Sequence, residues 1–157
     1  MSTTNTSLEQ RIAALEDRAA ISELLARFCL YADQRRWEEL VELYTEDGVF
    51  DVMGPVTGRA AILEAVSHLP EVWGHWYHFV SNEIVELDGD RARATSSFNA
   101  PYSMGGVSNN AFGRYDDELE RVDGEWKFAA RVLSFAVNAP MSEGMSTTLP
   151  DGLRRAD

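Results

Sequence analysis

The sequence predicts an α+β fold in which three N-terminal helices pack on a curved, mainly antiparallel sheet that leaves a cone-shaped hollow. Two observations carry this. Apolar residues recur at intervals of three and four up to about residue 69, interrupted by one short strand, and from residue 76 onward they alternate in long segments. The long segments are joined at Asp88-Gly89-Asp90 and Asp123-Gly124, the strongest short-range signal for a hairpin. Helices grouped first and strands after argue against alternating βαβ units.

Residues 1–7 are polar and read as a disordered N-terminus. Ser7-Leu8-Glu9-Gln10 has the form of a capping box. A helix is expected from Leu8 to Ala32, with Leu8, Ile12, Leu15, Ile21, Leu25 and Phe28 on its buried stripe. A break near Asp33-Gln34 leads into a second helix on which Trp37, Leu40, Val41 and Tyr44 share a face, ended by Glu46-Asp47-Gly48. Val49–Met53 reads as a short strand and Gly54-Pro55 as a turn. Ile62, Ala65, Val66 and Leu69 carry a third helix over 59–69. Four strands follow at about 76–87, 91–102, 107–122 and 125–137, with a Gly-rich loop at 104–106. The single domain is therefore expected over 8–137. The stretch 138–157 has no period and reads as a C-terminal tail; its Met141, Met145, Leu149 and Leu153 make it a candidate lid over a pocket.

Composition bounds the function. At 157 residues, with 45% hydrophobic side chains, seven Phe, five Tyr and four Trp, the chain has the apolar area for one well-formed core. No segment approaches the ~20 apolar residues of a spanning helix. The N-terminus lacks a basic region followed by an apolar one, so no signal peptide is expected. Twenty-six acids against 14 Lys plus Arg give a net charge of −12, which opposes binding to nucleic acid or to an anionic membrane surface. The single cysteine, Cys29, allows neither an intrachain disulfide nor a Cys-based zinc site, and it fits a reducing cytoplasm. His68, His75 and His78 form no metal-ligand motif, and no nucleophile elbow, P-loop or dinucleotide fingerprint is present.

What remains is a set of polar residues at positions where apolar ones are expected. Asp33 follows the apolar end of the first helix. His78 lies in Trp76-Tyr-His-Phe-Val-Ser-Asn82, where alternation puts His78, Val80, Asn82 and Ile84 on one face. Together Asp33 and His78 form a candidate dyad, the carboxylate fixing the imidazole tautomer and stabilising the imidazolium after proton abstraction. Tyr115 shares a face with Ala111 and Gly113, whose small side chains leave room for a ligand. Arg131 interrupts an apolar strand and needs a partner: the dyad, a substrate oxygen or a surface acid. Asp51, in an apolar strand, and Asn99 are lesser candidates.

These segments carry a family resemblance over residues 8–137. Leu15-Glu-Asp-Arg-Ala-Ala-Ile21, Tyr31-Ala-Asp33 through Trp37, Tyr44-Thr-Glu-Asp-Gly-Val-Phe50, His78-Phe-Val-Ser-Asn82 and Gly113-Arg-Tyr115 through Phe128 resemble the SnoaL-like branch of the NTF2-like superfamily. The resemblance implies a cone-shaped α+β barrel with its pocket inside. The superfamily includes scytalone dehydratase, lindane dehydrochlorinase, bile-acid 7α-dehydratase, polyketide cyclases and ketosteroid isomerase, several of which work without a cofactor and form dimers or trimers. In the dehydratase and dehydrochlorinase group an Asp after the first helix pairs with a His in the sheet, and Asp33 and His78 occupy the matching positions. Arg131 matches an active-site Arg of some members. Phe28 stands where the dehydrochlorinase has a Lys and the bile-acid enzyme a Tyr, so base and orienter carry over but the leaving-group acid does not.

The expectation is thus a cofactor-independent lyase of the dehydratase type acting on a small, cyclic, apolar substrate. His78 is the base, Asp33 its orienter, and Tyr115, Tyr31 or Arg131 the group that polarises an oxygen or assists a leaving group. An isomerase or cyclase is the first alternative; in its ketosteroid-isomerase form Asp51 is the base, and a phenolic donor is needed where Phe28 lies. A non-catalytic binding or assembly module is the second. Self-association is expected if Trp73, Trp76 or Phe135 lies on an exposed sheet face.

Overall fold

A computed structural model describes residues 7–141. Helix α1 (Leu8–Gln34) begins at the expected capping box: the Ser7 hydroxyl accepts from the Gln10 amide N–H, and the Gln10 side chain accepts from the Ser7 N–H. It runs past Ala32 and stops at Arg35, whose left-handed backbone (φ 57°) turns its N–H back onto the Ala32 and Tyr31 carbonyls. A short α2 (Trp37–Val41) follows, then β1 (Tyr44–Asp51), β2 (Pro55–Thr57), α3 (Arg59–Ser67) and a one-turn α4 (Leu69–Val72). The remaining strands are β3 (Phe79–Asp88), β4 (Arg91–Met104), β5 (Val107–Val122) and β6 (Glu125–Pro140). They form one six-stranded sheet in the order β2-β1-β6-β5-β4-β3. Every pair is antiparallel except β1 with β6, which is parallel.

Alternation between an inward and an outward face is cleanest on β4. On β4, Ala92, Ala94, Phe98 and Ala100 are buried while Arg93 between them is exposed. The small side chains let α1 lie close on the concave face, where Ile21, Leu25 and Phe28 meet Leu119 and Phe128. Full burial of each such side chain stabilises the fold by ~1.5–3 kcal/mol. Asp17 fixes the helix to one end of the sheet, accepting from the Arg121 guanidinium (2.7 Å) and the Trp126 indole N–H (3.2 Å).

Several expectations need correction. Tyr44 is not on the second helix. The chain leaves helix after Val41, and Tyr44 enters the parallel ladder opposite Phe128, its carbonyl accepting from Arg59. Gly48 permits the close passage that follows, since a Cβ there would lie 3.0 Å from the Phe128 carbonyl oxygen and from the Tyr44 ring. The Gly54-Pro55 turn opens a short hairpin strand, β2, and the third helix breaks at His68, leaving α4 as a separate turn. The buried stripe of α1 starts only at Ile21, because Leu8, Ile12 and Leu15 belong to turns that extend beyond the sheet and are exposed. β3 begins at Phe79, and a bulge at Asn82 (φ 57°) reverses its parity. Val80 therefore packs inward, Ile84 is 65% exposed, and Val85 and Leu87 turn to the core. Finally, β6 continues through Asn138 to Pro140, residues expected to lie in a tail. The lid residues Met145, Leu149 and Leu153, and residues 1–6 of the expected disordered N-terminus, lie outside the described residues.

Candidate active site

The open end of the cone holds a cavity of about 240 Å³. Its floor is Phe28 and Tyr115, its walls include Trp37, Trp76, Phe98 and Leu133, and Met53 and Met104 line it as well. No Asp, Glu, Lys or Arg among the described residues lines it. The polar side chains among its lining residues are few: His78, Tyr102, Tyr115, whose hydroxyl is itself buried, and Asn138, beside three tryptophans. Trp73, Trp76 and Phe135, whose place on an exposed sheet face would favour self-association, all line this cavity.

Asp33 reaches His78 because the end of α1 is tied to the segment before β3. The Trp76 indole N–H donates to the Ala32 carbonyl (3.1 Å), and the Arg35 guanidinium donates to the Gly74 carbonyl (2.6 Å) while lying over the Trp76 ring. Between these ties, the Asp33 carboxylate accepts from the backbone N–H of His78 (3.1 and 3.2 Å), and its Oδ1 lies 2.6 Å from His78 Nδ1. An ionised carboxylate only accepts, so Nδ1 carries the proton and Nε2 is the nitrogen left with a free lone pair. The Asp33 and His78 side chains are 9% and 17% exposed. The pair is thus shielded from bulk water while the imidazole still contacts the cavity.

Beneath the floor, Arg131 is fully buried. Its Nε and Nη2 donate to the two carboxylate oxygens of Asp117 at 2.8 and 3.0 Å. The guanidinium is enclosed by the rings of Tyr115, Phe28 and Phe128, with centroids 4.1–4.4 Å away. Burial opposes the Arg131 charge, but Asp117 outweighs it and holds the group above its ordinary pKa. Burial pushes Asp117 up, although the guanidinium pulls the other way. Arg131 is therefore held away from the dyad and the cavity. Its partner Asp117 was not singled out from sequence, although it alternates with Tyr115 and Leu119 on an inward face and so required a cation.

Three other buried groups share this region. Burial pushes the Cys29 thiol up to about 12 and raises the Tyr44 and Tyr115 phenols above their ordinary values. In the folded protein these groups keep protons that the unfolded chain releases first, so stability falls as pH rises. The loss is expected from about pH 9 upward, where unfolded Cys and then Tyr ionise, at ~1.4 kcal/mol per pH unit for each proton. Urea midpoints at pH 8 and pH 10.5 measure it, and Cys29→Ala should remove one proton's share of the slope.

A family model for the SnoaL-like domain matches residues 13–132. The chain belongs to the SnoaL-like domain family. A curated relative, the uncharacterized protein Rv2910c of Mycobacterium tuberculosis, is 30% identical over 129 residues, covering 77% of this chain and 86% of the relative. Among solved structures, the hexachlorocyclohexane dehydrochlorinase LinA-type3 of Novosphingobium barchaimii superimposes with a TM-score of 0.80 at 23% identity, covering 89% of this chain and 99% of that one. A scytalone dehydratase candidate from Novosphingobium aromaticivorans gives 0.74 at 22% identity, covering 90% and 97%. Both likenesses establish the NTF2-like fold of this SnoaL-like domain.

Within this SnoaL-like domain, the other sequence candidates separate. Phe28 and Tyr115 line the cavity, and the Tyr115 hydroxyl is buried without a partner among the described residues. Tyr31 lies outside it, its ring under the Arg36 guanidinium at 4.4 Å. The Asp51 carboxylate accepts from the Gly54 N–H (3.1 Å) at the β1–β2 turn and does not line the cavity. Asn99 is on the outer face, between Phe98 and Ala100 that point in, paired in register with Phe79 and Phe112. Asn138 and the wall tryptophans were missed. Trp37 and Trp76 sit in segments whose pattern gave no pocket signal, and Asn138 lay beyond the last expected strand. No group of three His, Cys, Asp or Glu among the described residues is arranged to hold a metal ion, and no helix among them is long and apolar enough to cross a membrane.

Proposed function

We propose that this SnoaL-like domain is a lyase that eliminates water or another leaving group from a small, neutral, cyclic substrate, with His78 as general base and Asp33 as its orienter. The observation that carries the reading is the 2.6 Å Asp33–His78 contact at the wall of an apolar cavity that no Asp, Glu, Lys or Arg among the described residues lines. In the reaction, Nε2 removes a proton from carbon, the C–H electrons form the new double bond, and the leaving group departs with its bonding pair. The imidazolium is stabilised by Asp33. Tyr115 is a neutral phenol kept protonated by burial, and its fully buried hydroxyl has no partner among the described residues; we assign it as the donor to the departing or activating oxygen. The names of two structural neighbours, a dehydrochlorinase and a scytalone dehydratase candidate, belong to this reaction class and support the reading.

The position of Asp51, bound to its own turn, disfavours the isomerase form in which it is the base. Self-association, if it occurs, is assigned to the outer sheet face, where Phe79, Phe112 and Val137 form an exposed row across the strands. The test is a screen of cyclic compounds carrying a hydroxyl or halide beside an acidic C–H, run in D₂O and read by NMR. Alkene formation together with released water or halide supports the lyase. Deuterium uptake into substrate without elimination supports an isomerase or cyclase, and neither event across the panel supports the binding module.

A further inference from the structure

The register of the sheet places one rung of side chains across the whole cavity. Trp76 bridges to Tyr102 and Phe79 pairs with Asn99, so His78 lies opposite Ala100; Ala100 pairs with Ala111, and Ala111 with Asn138. All four side chains line the cavity. His78 and Asn138 thus stand at the two ends of a row whose middle is two methyl groups. The ends are three strand spacings apart, ~14 Å along the sheet and less across its concave chord. Asn138 faces inward because of the register shift between Phe112 and Gly113, which leaves Ala136 unpaired and reverses the parity after Phe135. The Tyr102 hydroxyl donates to Asn138 Oδ1 at 2.8 Å. That bond fixes the amide with its oxygen engaged, and its two N–H donors meet no acceptor among the described residues.

We infer that Asn138 is a specificity-determining residue: it donates to a carbonyl or hydroxyl oxygen at the end of a flat, neutral, fused-ring substrate remote from the carbon that His78 deprotonates. Tyr102 is the positioning residue that holds the amide. The alanine stretch between the two ends suits a ring face, the aromatic walls suit a ring edge, and the lack of a charged lining side chain among the described residues disfavours carboxylate or phosphate groups. The assignment of which end reacts rests on the proposed role of His78; the assignment of Asn138 as an oxygen anchor does not.

The test uses binding alone. Affinities of β-tetralone and of tetralin, the same bicycle without the oxygen, are measured by quenching of the cavity tryptophans in the wild type, Asn138→Leu, Tyr102→Phe and His78→Ala. Asn138→Leu should weaken β-tetralone about threefold to tenfold, the worth of one neutral hydrogen bond, and leave tetralin within about twofold. Tyr102→Phe should weaken the ketone by a smaller factor, again sparing tetralin. His78→Ala should keep the wild-type ratio of the two ligands, so the outcome is independent of whether elimination is ever found. Equal weakening of both ligands in Asn138→Leu, no weakening of either, or no binding of β-tetralone by the wild type overturns the inference.

Discussion

Replacing His78 by Ala should lower kcat by about 10²–10⁴-fold, the range supplied by a positioned general base, while KM changes little. Asp33→Asn should fall in a similar range for a different reason. An amide that turns its N–H₂ toward Nδ1 forces the imidazole proton onto Nε2, the nitrogen that must accept from carbon. The folded structure should survive this change, because the Asn carbonyl can still accept from the His78 backbone N–H. Steady-state kinetics on any substrate found in the elimination screen measures both variants, with near-ultraviolet circular dichroism as the folding control. If His78→Ala retains turnover within about threefold, the base is elsewhere. If Asp51→Asn abolishes turnover while His78→Ala does not, the isomerase mechanism replaces the lyase.

The largest expected effect on stability lies beneath the cavity floor. Asp117→Ala leaves the Arg131 guanidinium at 0% exposure with no carboxylate and with only aromatic faces around it. Removing one member of such a pair costs about 3–5 kcal/mol, because an uncompensated charge stays buried. Cation–π contact with three rings offsets part of this but does not replace two charge-assisted hydrogen bonds. The double variant Asp117→Leu with Arg131→Met should recover most of the loss, since an apolar pair of similar volume needs no desolvated charge. Chemical denaturation of the two single variants and the double variant measures the coupling. A double variant no more stable than the worse single one would falsify the account and give Arg131 a role beyond its pair.

The fold was legible where local chemistry and periodicity agreed. The capping box at Ser7, the Asp-Gly hairpins and the inward alternation of β4 are each encoded within a few residues. What escaped was non-local. Tyr44 shares helical spacing with Leu40, yet its place is set by a parallel pairing to Phe128, more than 80 residues on. The exposed turns at Leu8–Leu15 carry the same apolar spacing as the buried ones, and only the extent of the sheet distinguishes them. The dyad positions were readable because Asp33 and His78 each break an apolar context. Asn138 was not readable, since a bulge at Ala136 decides which of Val137 and Asn138 turns inward, and alternation from Leu133 and Phe135 selects the wrong one. Arg131 was noticed for being charged in a strand, but its partner required pairing β5 with β6 in register.

The carboxylate of Asp33 grips two parts of the same residue, the ring and the main-chain amide of His78. Base and tether therefore move as one body, hinged neither at the imidazole's side-chain torsions nor at its peptide. Met53 and Met104 line the same cavity from separate turns that make no part of this grip, so a change at either turn leaves the carboxylate–imidazole contact in place. A scaffold built this way divides its compliance from its aim: substitutions in those turns should alter which ligands fit while the Asp33–His78 contact keeps its geometry.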